Sequence, residues 1–254
     1  MKISIVIPVY EAHGEGVRLL QNCLDSICAQ NFDNFEIVIP DHSVNDDIKQ
    51  FITKYNNLDI LHFYNERGRG NSSINMNEGI KRASGDIIKI MHFDDLFYIK
   101  NALQFIHNEF NSSDLKWGGV GFNHLQGHSF QGPAGSAPIN GRTLIRRPMI
   151  PIKTGPVAGK LTGWGCPSMS FFINDKSDPM YFDENLIWIN DHEMHISLLK
   201  KYGAPIVVKD ICVTIRIHEN QVSKTVSSTE EQEWEYFYKK HPELFYQTKI
   251  QIWS

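Results

Sequence analysis

The first 110 residues alternate between short apolar runs and segments in which apolar side chains recur at helical spacing. Short runs rich in Ile and Val, ended by proline or a polar turn, are typical of strands buried on both faces of a sheet. They predict strands over 3–7, 35–39, 58–63 and 87–91. The helical spacing predicts helices over 17–30, 46–55, 72–83 and 99–110. This alternation indicates βαβ units with right-handed crossovers, and therefore an α/β fold built on a parallel sheet.

The second half of the chain is less regular. Its patterns predict strands over 117–122, 168–173, 206–208 and 212–217, and helices over 191–202 and 229–240. Residues 123–165 are rich in Gly, Pro and Ser and contain a basic cluster of Arg142, Arg146 and Arg147. A long irregular stretch of this kind inside a compact domain is usually functional. At 254 residues, the chain is predicted to form one domain over 1–254.

Two adjacent carboxylates, Asp94 and Asp95, follow the buried run 87–91. In open α/β sheets the carboxyl ends of the strands form the edge at which ligands bind. Two neighbouring acids repel each other unless a cation lies between them. A divalent metal carrying a diphosphate suits such a pair, because Mg²⁺ is usually held by one or two carboxylates and by substrate phosphates. The residues alone leave a solvated Asp-Asp turn as an equal alternative.

Charge and composition exclude some classes of protein. A net charge of −4 argues against nucleic-acid binding, which requires a basic face. The four cysteines have neither metal-ligand spacing nor a Cys-x-x-Cys pair, so we expect reduced thiols. No stretch reaches the roughly 20 apolar residues that span a membrane. We therefore expect a cytoplasmic protein without a transmembrane segment, and peripheral contact with the inner membrane face stays open.

Several short motifs follow one another in order along most of the chain. They are Ser4-Ile5-Val6-Ile7-Pro8-Val9-Tyr10, Asp41-His42-Ser43, Asn77-Glu78-Gly79-Ile80, His92-Phe93-Asp94-Asp95, Asn190-Asp191 and Arg216-Ile217-His218. In these motifs and their order the chain resembles the inverting glycosyltransferases of family 2. The resemblance implies a GT-A fold, in which a Rossmann-like, mostly parallel central sheet is flanked by helices and an irregular half binds the acceptor. It assigns residues 1–110 to the nucleotide sugar and residues 111–254 to the acceptor.

The resemblance also implies a donor site after the first two predicted strands. The backbone of Pro8 and Val9 and the ring of Tyr10 would border the base, with packing of Tyr10 under a helix as the alternative. Glu11 stands where the family more often has asparagine. Asp41 would accept an N–H of the base, or it would form an Asx-turn instead. Further donor contacts are implied for Asn77, His92, Phe93 and Asp94, and the expected donor is a UDP-sugar. Separately from the resemblance, Arg67 and Arg69 lie in a loop with two glycines before a predicted helix N-terminus, so they are candidate phosphate contacts, with a solvated basic loop as the alternative.

The metal site implied by the resemblance consists of Asp94, Asp95 and His218. Asp94 is expected to be the primary ligand of Mn²⁺ or Mg²⁺, and Asp95 a secondary one. The metal would neutralise the charge that develops on the departing diphosphate. His92 stands where the family has the first acid of its motif, and an imidazole can bind a hydroxyl or ligate Mn²⁺. The alternative is that this histidine weakens metal binding.

The resemblance makes Asp191 the general base that removes a proton from the acceptor hydroxyl. The predicted helix 191–202 begins at this residue, and the positive end of the helix dipole would keep the carboxylate ionised. Acids are common in first helical turns for the same reason, so a purely structural role stays open. Glu193 is the alternative base, and His195 lies one turn along the same helical face.

These residues together predict a metal-assisted transfer of sugar from a nucleotide diphosphate to a hydroxyl, with inversion implied by the resemblance. The expected acceptor is a glycan or a lipid-linked saccharide. The resemblance places Trp164 and Trp188 near it, with packing in the core as the alternative for either residue. Two other classes stay open. A nucleotidyltransferase usually carries a basic loop after its first strand, whereas residues 10–16 contain no Lys or Arg. A non-catalytic nucleotide- or glycan-binding module of the same fold would explain His92.

Overall fold

The computed structural model describes residues 1–126, 144–146, 166–218, 221 and 229–242 of the chain. Its strands are β1 (Ile3–Val6), β2 (Phe35–Asp41), β3 (Ile60–Tyr64), β4 (Ile87–Ile90), β5 (Leu96–Phe97), β6 (Trp117–Gln126), β7 (Leu144–Arg146), β8 (Ser170–Ile173) and β9 (Ile206–Ile217). Its helices are α1 (Gly16–Cys28), α2 (Asp47–Ile52), α3 (Ser72–Arg82), α4 (Ala102–Ser112), α5 (Asn190–Tyr202) and α6 (Glu230–Lys240). Among these residues, none of the helices combines the length and the apolar character needed to cross a membrane.

One sheet runs through both halves of the chain. Its strand order is β3-β2-β1-β4-β8-β6-β9-β5, with β7 paired to β6. β1 lies between β2 and β4, parallel to both, and Ile5 is opposite Ile37 on one side and Lys89 on the other. β3 adds a further parallel strand, whereas β8 joins β4 to β6 by antiparallel pairing. The parallel first half confirms the predicted α/β fold.

The central strands are covered on both faces, which explains their nearly continuous apolar runs. Every residue of β1 and of β4 is buried. Helix α3 approaches them through Gly79, where a Cβ would lie 2.5 Å from Cγ1 of Val6 and 3.1 Å from Cγ of Pro40. Glycine at this position therefore allows α3 to pack closely on β1 and β2. The close approach brings Asn75, one helical turn earlier, to the ends of these strands.

A buried carboxylate fixes the turn that precedes β4. Glu36 accepts hydrogen bonds from the Ser4 hydroxyl (2.5 Å) and from the backbone N–H and hydroxyl of Ser84 (2.5 and 2.6 Å). It also pairs with Lys2 at 2.7 Å. Burial opposes ionisation, but these partners outweigh it and lower the pKa of Glu36 to about 2. A lowered pKa stabilises the fold at neutral pH, and this contribution is lost as the pH falls towards 2.

The second half departs from the predicted elements. β9 is one strand instead of two, because a shift in its register opposite Gly121 keeps the polar residues 209–210 within the strand. A 3-10 turn at Pro167–Met169 delays the start of β8 to Ser170. β5 has two residues and is too short for any periodicity to predict. Within the predicted loop 123–165, residues 123–126 continue β6 and residues 144–146 form β7. Arg142, Arg147 and Trp164 lie outside the described residues.

Candidate active site

A cavity of about 350 Å³ opens at the carboxyl edge of the parallel strands. Its walls come from the loop after β1, the turn after β4, the start of α5 and the segment after β9. This is where open α/β sheets bind ligands. The cavity brings together ten predicted residues, namely Pro8, Val9, Tyr10, Glu11, His92, Phe93, Asp94, Asp95, Asp191 and His218. Three others, Asp41, Arg69 and Asn77, are not part of its walls.

The loop after β1 is fixed by its backbone. The N–H of Val9 donates to the Pro40 carbonyl (3.0 Å), and the Val9 carbonyl accepts from the N–H of His42 (2.9 Å). Asn75 of α3 donates to the carbonyls of both Val9 and Pro40, at 3.2 and 3.0 Å. Tyr10 follows with 39% of its surface exposed, and its ring stands edge-on to His42 at 6.2 Å. An exposed ring at a cavity wall offers a face to a planar ligand.

Glu11 lines the cavity, but its carboxylate is bound to the start of α1. It accepts the backbone N–H groups of His13 (3.0 Å), Gly14 (2.6 Å) and Gly16 (2.5 Å). The amide of Gly16 is one of the unpaired donors that a helix N-terminus leaves, and the other two belong to the turn before it. Glu11 therefore holds the backbone between Tyr10 and α1, which asparagine, with its shorter side chain, would do differently.

Asp41 is fully buried at the end of β2. Its Oδ1 accepts the N–H of Ser43 at 2.8 Å, which is the Asx-turn left open by the sequence. Its Oδ2 faces Nε2 of His62, on the neighbouring strand β3, at 2.9 Å. His42, the next residue, lines the cavity in its place, and its Nδ1 accepts the N–H of Gly70 at 3.2 Å. Asp41 thus fixes the backbone beside the cavity without being part of its wall.

Three of the predicted phosphate and donor contacts lie outside the cavity walls. Arg67 forms a two-pronged ion pair with Glu184, so its guanidinium is committed to a protein carboxylate. Arg69 is exposed on the same loop. The amide of Asn77 donates to the Phe182 carbonyl (2.9 Å) and accepts the Phe182 N–H (2.8 Å). Asn77 therefore joins α3 to the segment before α5, which explains an asparagine inside that motif.

Three side chains of the kinds that ligate metals, namely His92, Asp94 and Asp95, meet after β4 and are called the metal-ligand centre below. Ligand atoms of His92, Asp94 and Asp95 all lie within 4.8 Å of one another. Nε2 of His92 is buried and has no hydrogen-bond partner among the described residues. A buried imidazole nitrogen without a partner, beside two carboxylates, fits a divalent metal such as Mn²⁺. His218 instead donates from Nε2 to Oδ2 of Asp94 at 3.0 Å, so it orients this carboxylate.

The pKa values of the two carboxyls of this centre are shifted in opposite directions. Burial raises the pKa of Asp95 well above its usual range, and the charge of Asp94 adds to the effect. Burial would also raise the pKa of Asp94, but the hydrogen bond from His218 and the nearby His92 outweigh it and lower the pKa. The backbone N–H of Arg216 donates to Oδ1 of Asp95 at 3.0 Å. A bound divalent cation would favour the ionised form of both carboxyls.

Two further residues support the metal-ligand centre from β4 and from the 3-10 turn. The hydroxyl of Ser168 accepts the N–H of His92 at 2.9 Å and is hydrogen-bonded to Asp95. Lys89, fully buried in β4, donates to the carbonyls of Ile90 (2.9 Å) and Ser168. Burial lowers the pKa of Lys89 to about 8. This lysine, the one polar residue of the run 87–91, therefore ties β4 to the turn that holds His92.

Asp191 lines the cavity from the first turn of α5. Nδ1 of the adjacent His192 donates to Oδ1 of Asp191 at 2.8 Å. Burial would raise the pKa of Asp191, but the charge of His192 and its hydrogen bond outweigh burial and lower the pKa below its usual value. The carboxylate is therefore ionised near neutral pH, which is the state that a general base requires.

The other candidate residues of α5 lie outside the cavity. Glu193 is 1% exposed and pairs with Lys240 at 2.7 Å. Nε2 of His195 is hydrogen-bonded to the Ser170 hydroxyl at 2.7 Å, and its ring stacks on Trp117 at 6.2 Å. Burial lowers the pKa of His195 to about 3, so its imidazole is neutral. Asp191 is thus the acid of this helix that reaches the cavity.

Comparison with known proteins finds similarity to glycosyltransferases. The sequence pattern of Glycosyl transferase family 2 matches residues 4–113. Over 94% of its length the chain is 25% identical to the uncharacterized glycosyltransferase RT0329 of Rickettsia typhi, of which it covers 72%. Residues 4–113 thus match glycosyl transferase family 2, and the chain is similar to a glycosyltransferase over almost its whole length. A shorter match of 28% identity over 96 residues is to the GalNAc(5)-diNAcBac-PP-undecaprenol beta-1,3-glucosyltransferase of Campylobacter jejuni, covering 37% of this chain and 30% of that enzyme.

Solved structures of glycosyltransferases have the same fold. Staphylococcus aureus TarS 1-349, in complex with UDP-GlcNAc, aligns with a TM-score of 0.68 at 18% identity, over 89% of this chain and 61% of that one. The mannosyltransferase PcManGT of Pyrobaculum calidifontis, in complex with GDP-Man and Mn²⁺, aligns with a TM-score of 0.59 at 12% identity, over 87% and 58%. The chain therefore has the GT-A fold, as predicted, and it spans about three-fifths of the length of these solved chains.

Two residues that support the site were missed in the sequence. Asn75 and Ser168 have no distinctive neighbours, and their roles depend on strands that are distant along the chain. Gly79, one turn after Asn75, was the available signal, because a glycine within a helix often marks a close approach. Trp188 lines the cavity, and its predicted contact with the acceptor stays a prediction.

Proposed function

We propose that this chain is an inverting glycosyltransferase that moves sugar from a UDP-sugar to a saccharide hydroxyl with the help of a divalent metal. The observation that carries the proposal is one cavity lined by the loop after β1, by the metal-ligand centre and by Asp191. One cavity thereby contains a site for the nucleotide base, a site for the diphosphate and a carboxylate that can act as general base. TarS has the same fold and was solved with UDP and with UDP-GlcNAc, which supports a uridine donor.

The donor side is assigned to residues 1–110. The exposed ring of Tyr10 and the backbone of Pro8 and Val9 would border the base. Residues that would hold the metal are His92, Asp94 and Asp95. When bound, the metal would supply positive charge that stabilises the departing diphosphate. The Mn²⁺ in PcManGT supports this assignment, and the imidazole among the ligands favours Mn²⁺ over Mg²⁺.

Asp191 is assigned the role of general base. Its ionised carboxylate would take the proton of the acceptor hydroxyl while that oxygen attacks the anomeric carbon from the face opposite the diphosphate. His192 holds one carboxylate oxygen through its Nδ1–H, which fixes the orientation of the base and stabilises its charge. Attack from the opposite face inverts the configuration of the anomeric carbon, because the bond to the diphosphate breaks as the new bond forms.

The acceptor side is assigned to residues 111–254. Trp188 and Ile187 line the cavity beside Asp191, and an aromatic ring next to a base suits a sugar ring. The Campylobacter relative, whose name describes a glucosyltransferase that acts on an undecaprenol-linked saccharide, supports a lipid-linked acceptor. A cytoplasmic location with peripheral contact at the membrane that carries such acceptors stays a prediction.

The donor assignment predicts selective stabilisation by UDP. Thermal unfolding would be measured with UDP, GDP, CDP and dTDP at 1 mM, each with Mn²⁺ and with EDTA. A ligand at about a hundred times its dissociation constant stabilises a protein by about 2.7 kcal/mol. For a chain of this length such stabilisation raises Tm by about 2–4 °C. We expect this shift with UDP and Mn²⁺ and a smaller one with EDTA. A larger shift with GDP than with UDP would contradict the uridine donor.

A further inference from the structure

Helix α6 lies outside the part of the chain that matches the family pattern, yet it packs directly on the acceptor side. Phe237 is completely buried in a small apolar cluster with Leu186, Ile189 and Ile196. Trp234 contacts the cavity residue Trp188 ring to ring, at 6.4 Å between centroids. α6 therefore covers the back of the segment that leads into α5.

One carboxylate of α6 binds three consecutive backbone amides of that segment. Glu233, which is 7% exposed, accepts the N–H groups of Ile187 (3.1 Å), Trp188 (2.8 Å) and Ile189 (3.1 Å). Ile189 is the N-cap residue of α5 and has no side-chain cap, and the carboxylate binds its N–H together with the two amides that precede it. Hydrogen bonds to an ionised acceptor are about twice as strong as neutral ones. Thr229 adds a donor to the other side of the carboxylate at 3.1 Å.

The three amides bound by Glu233 belong to the residues next to the proposed base. Ile187 and Trp188 line the cavity, and Asp191 follows Ile189 by two residues. At the other end of α6, Lys240 bridges Asp183 (2.6 Å) and Glu193 (2.7 Å) and so ties down both sides of this segment. The segment is therefore fixed by contacts with α6 on the side away from the cavity.

We propose that Glu233 is a positioning residue that holds Trp188 and Asp191 in place for the acceptor. Glu233 is not part of the cavity walls and does not contact the loop after β1 or the metal-ligand centre. The catalytic consequence rests on the proposed function, whereas the hydrogen bonds from the amides of residues 187–189 to Glu233 belong to the fold itself. Contacts made by α6 would therefore affect the rate of sugar transfer without affecting the binding of the donor.

Glu233→Gln tests the proposal, because the amide keeps the size of the side chain but replaces one acceptor oxygen by a donor. A misplacement of about 1 Å can cost about 10²-fold in rate. We therefore expect kcat for transfer from UDP-GlcNAc, or from whichever UDP-sugar is turned over, to fall by about 10- to 100-fold. The dissociation constant of UDP should stay within about twofold, since the donor side keeps its contacts. Glu235→Gln is the matched control, because it removes the same charge from an exposed position of α6.

Hydrogen exchange keeps the test independent of activity. The amides of Trp188 and Ile189 should exchange about tenfold faster in Glu233→Gln and unchanged in Glu235→Gln, because a protecting hydrogen bond is lost. If Glu233→Gln does not fold, Thr229→Val is the milder substitution, because it removes only one hydrogen bond to Glu233. It should lower kcat and speed the exchange of the same two amides. Unchanged exchange, or a kcat equal to that of Glu235→Gln, would overturn the proposal. If exchange is faster in Glu233→Gln but the wild type transfers no sugar, the proposed function is refuted, while the structural role of Glu233 in holding residues 187–189 is retained.

Discussion

Replacing Asp191 by asparagine is expected to slow sugar transfer by about 10²–10⁴-fold, the usual contribution of a general base. The amide preserves the shape of the side chain but cannot accept the proton of the acceptor hydroxyl. Because Asp191 does not belong to the metal-ligand centre, the affinity for UDP and Mn²⁺ should be unchanged. The loss should therefore fall on kcat, measured as release of UDP in the presence of a saturating acceptor.

Asp47→Asn is the matched control for this prediction. Asp47 also occupies the first turn of a helix, α2, but it is exposed and remote from the cavity walls. Its substitution changes the interaction with the helix dipole in the same way and should leave transfer at the wild-type rate. Equal rates for Asp191→Asn and wild type would show that Asp191 has only the structural role of a first-turn acid.

Asp94→Asn is expected to weaken Mn²⁺ binding by at least about 100-fold. The estimate follows because loss even of an outer partner of a metal ligand typically costs about 10–100-fold in affinity. The substitution also leaves His218 without the carboxylate that it orients. Titration of Mn²⁺ followed by electron paramagnetic resonance measures the affinity without any substrate, and calorimetry with UDP measures the consequence for the donor.

Asp33→Asn is a suitable control for the metal titration, because it removes one exposed carboxylate from the loop before β2. Its Mn²⁺ affinity should equal that of the wild type. If Asp94→Asn also binds Mn²⁺ as the wild type does, the centre of His92, Asp94 and Asp95 is not the metal site. In that case the pair of acids is better explained as part of the buried network with Arg216 and Ser168.

The sequence was most informative where the chain contacts itself locally or repeats a pattern. Buried runs such as Ile3–Val6 and Ile87–Ile90 predicted the parallel strands, since a strand covered on both faces needs apolar residues throughout. The same reasoning predicted that Asp94 and Asp95 lie at the carboxyl edge of the sheet, where the cavity is. Helix α5 was predicted to begin at 191, and it begins one residue earlier.

Contacts between distant segments were beyond the reach of these patterns. Arg67 was a candidate for binding phosphate until the structure revealed its partner Glu184, 117 residues away. Asp41 similarly has His62 as a partner on a neighbouring strand. Glu233 looked like an ordinary acid of a charged helix, because nothing in its neighbours indicates three backbone amides from residues 187–189. Partners of this kind depend on how helices and strands pack together, which hydrophobic spacing does not specify.

The central claim is tested most directly by UDP release from UDP-GlcNAc and related UDP-sugars, with Mn²⁺ and with a panel of free and lipid-linked saccharides. We expect at least one acceptor to accelerate UDP release by the wild-type protein, and we expect EDTA or Asp191→Asn to remove this acceleration. Retention of UDP binding without release in the presence of any acceptor would contradict it. That result would favour a non-catalytic module of the same fold, with His92 in place of an acid as its structural basis.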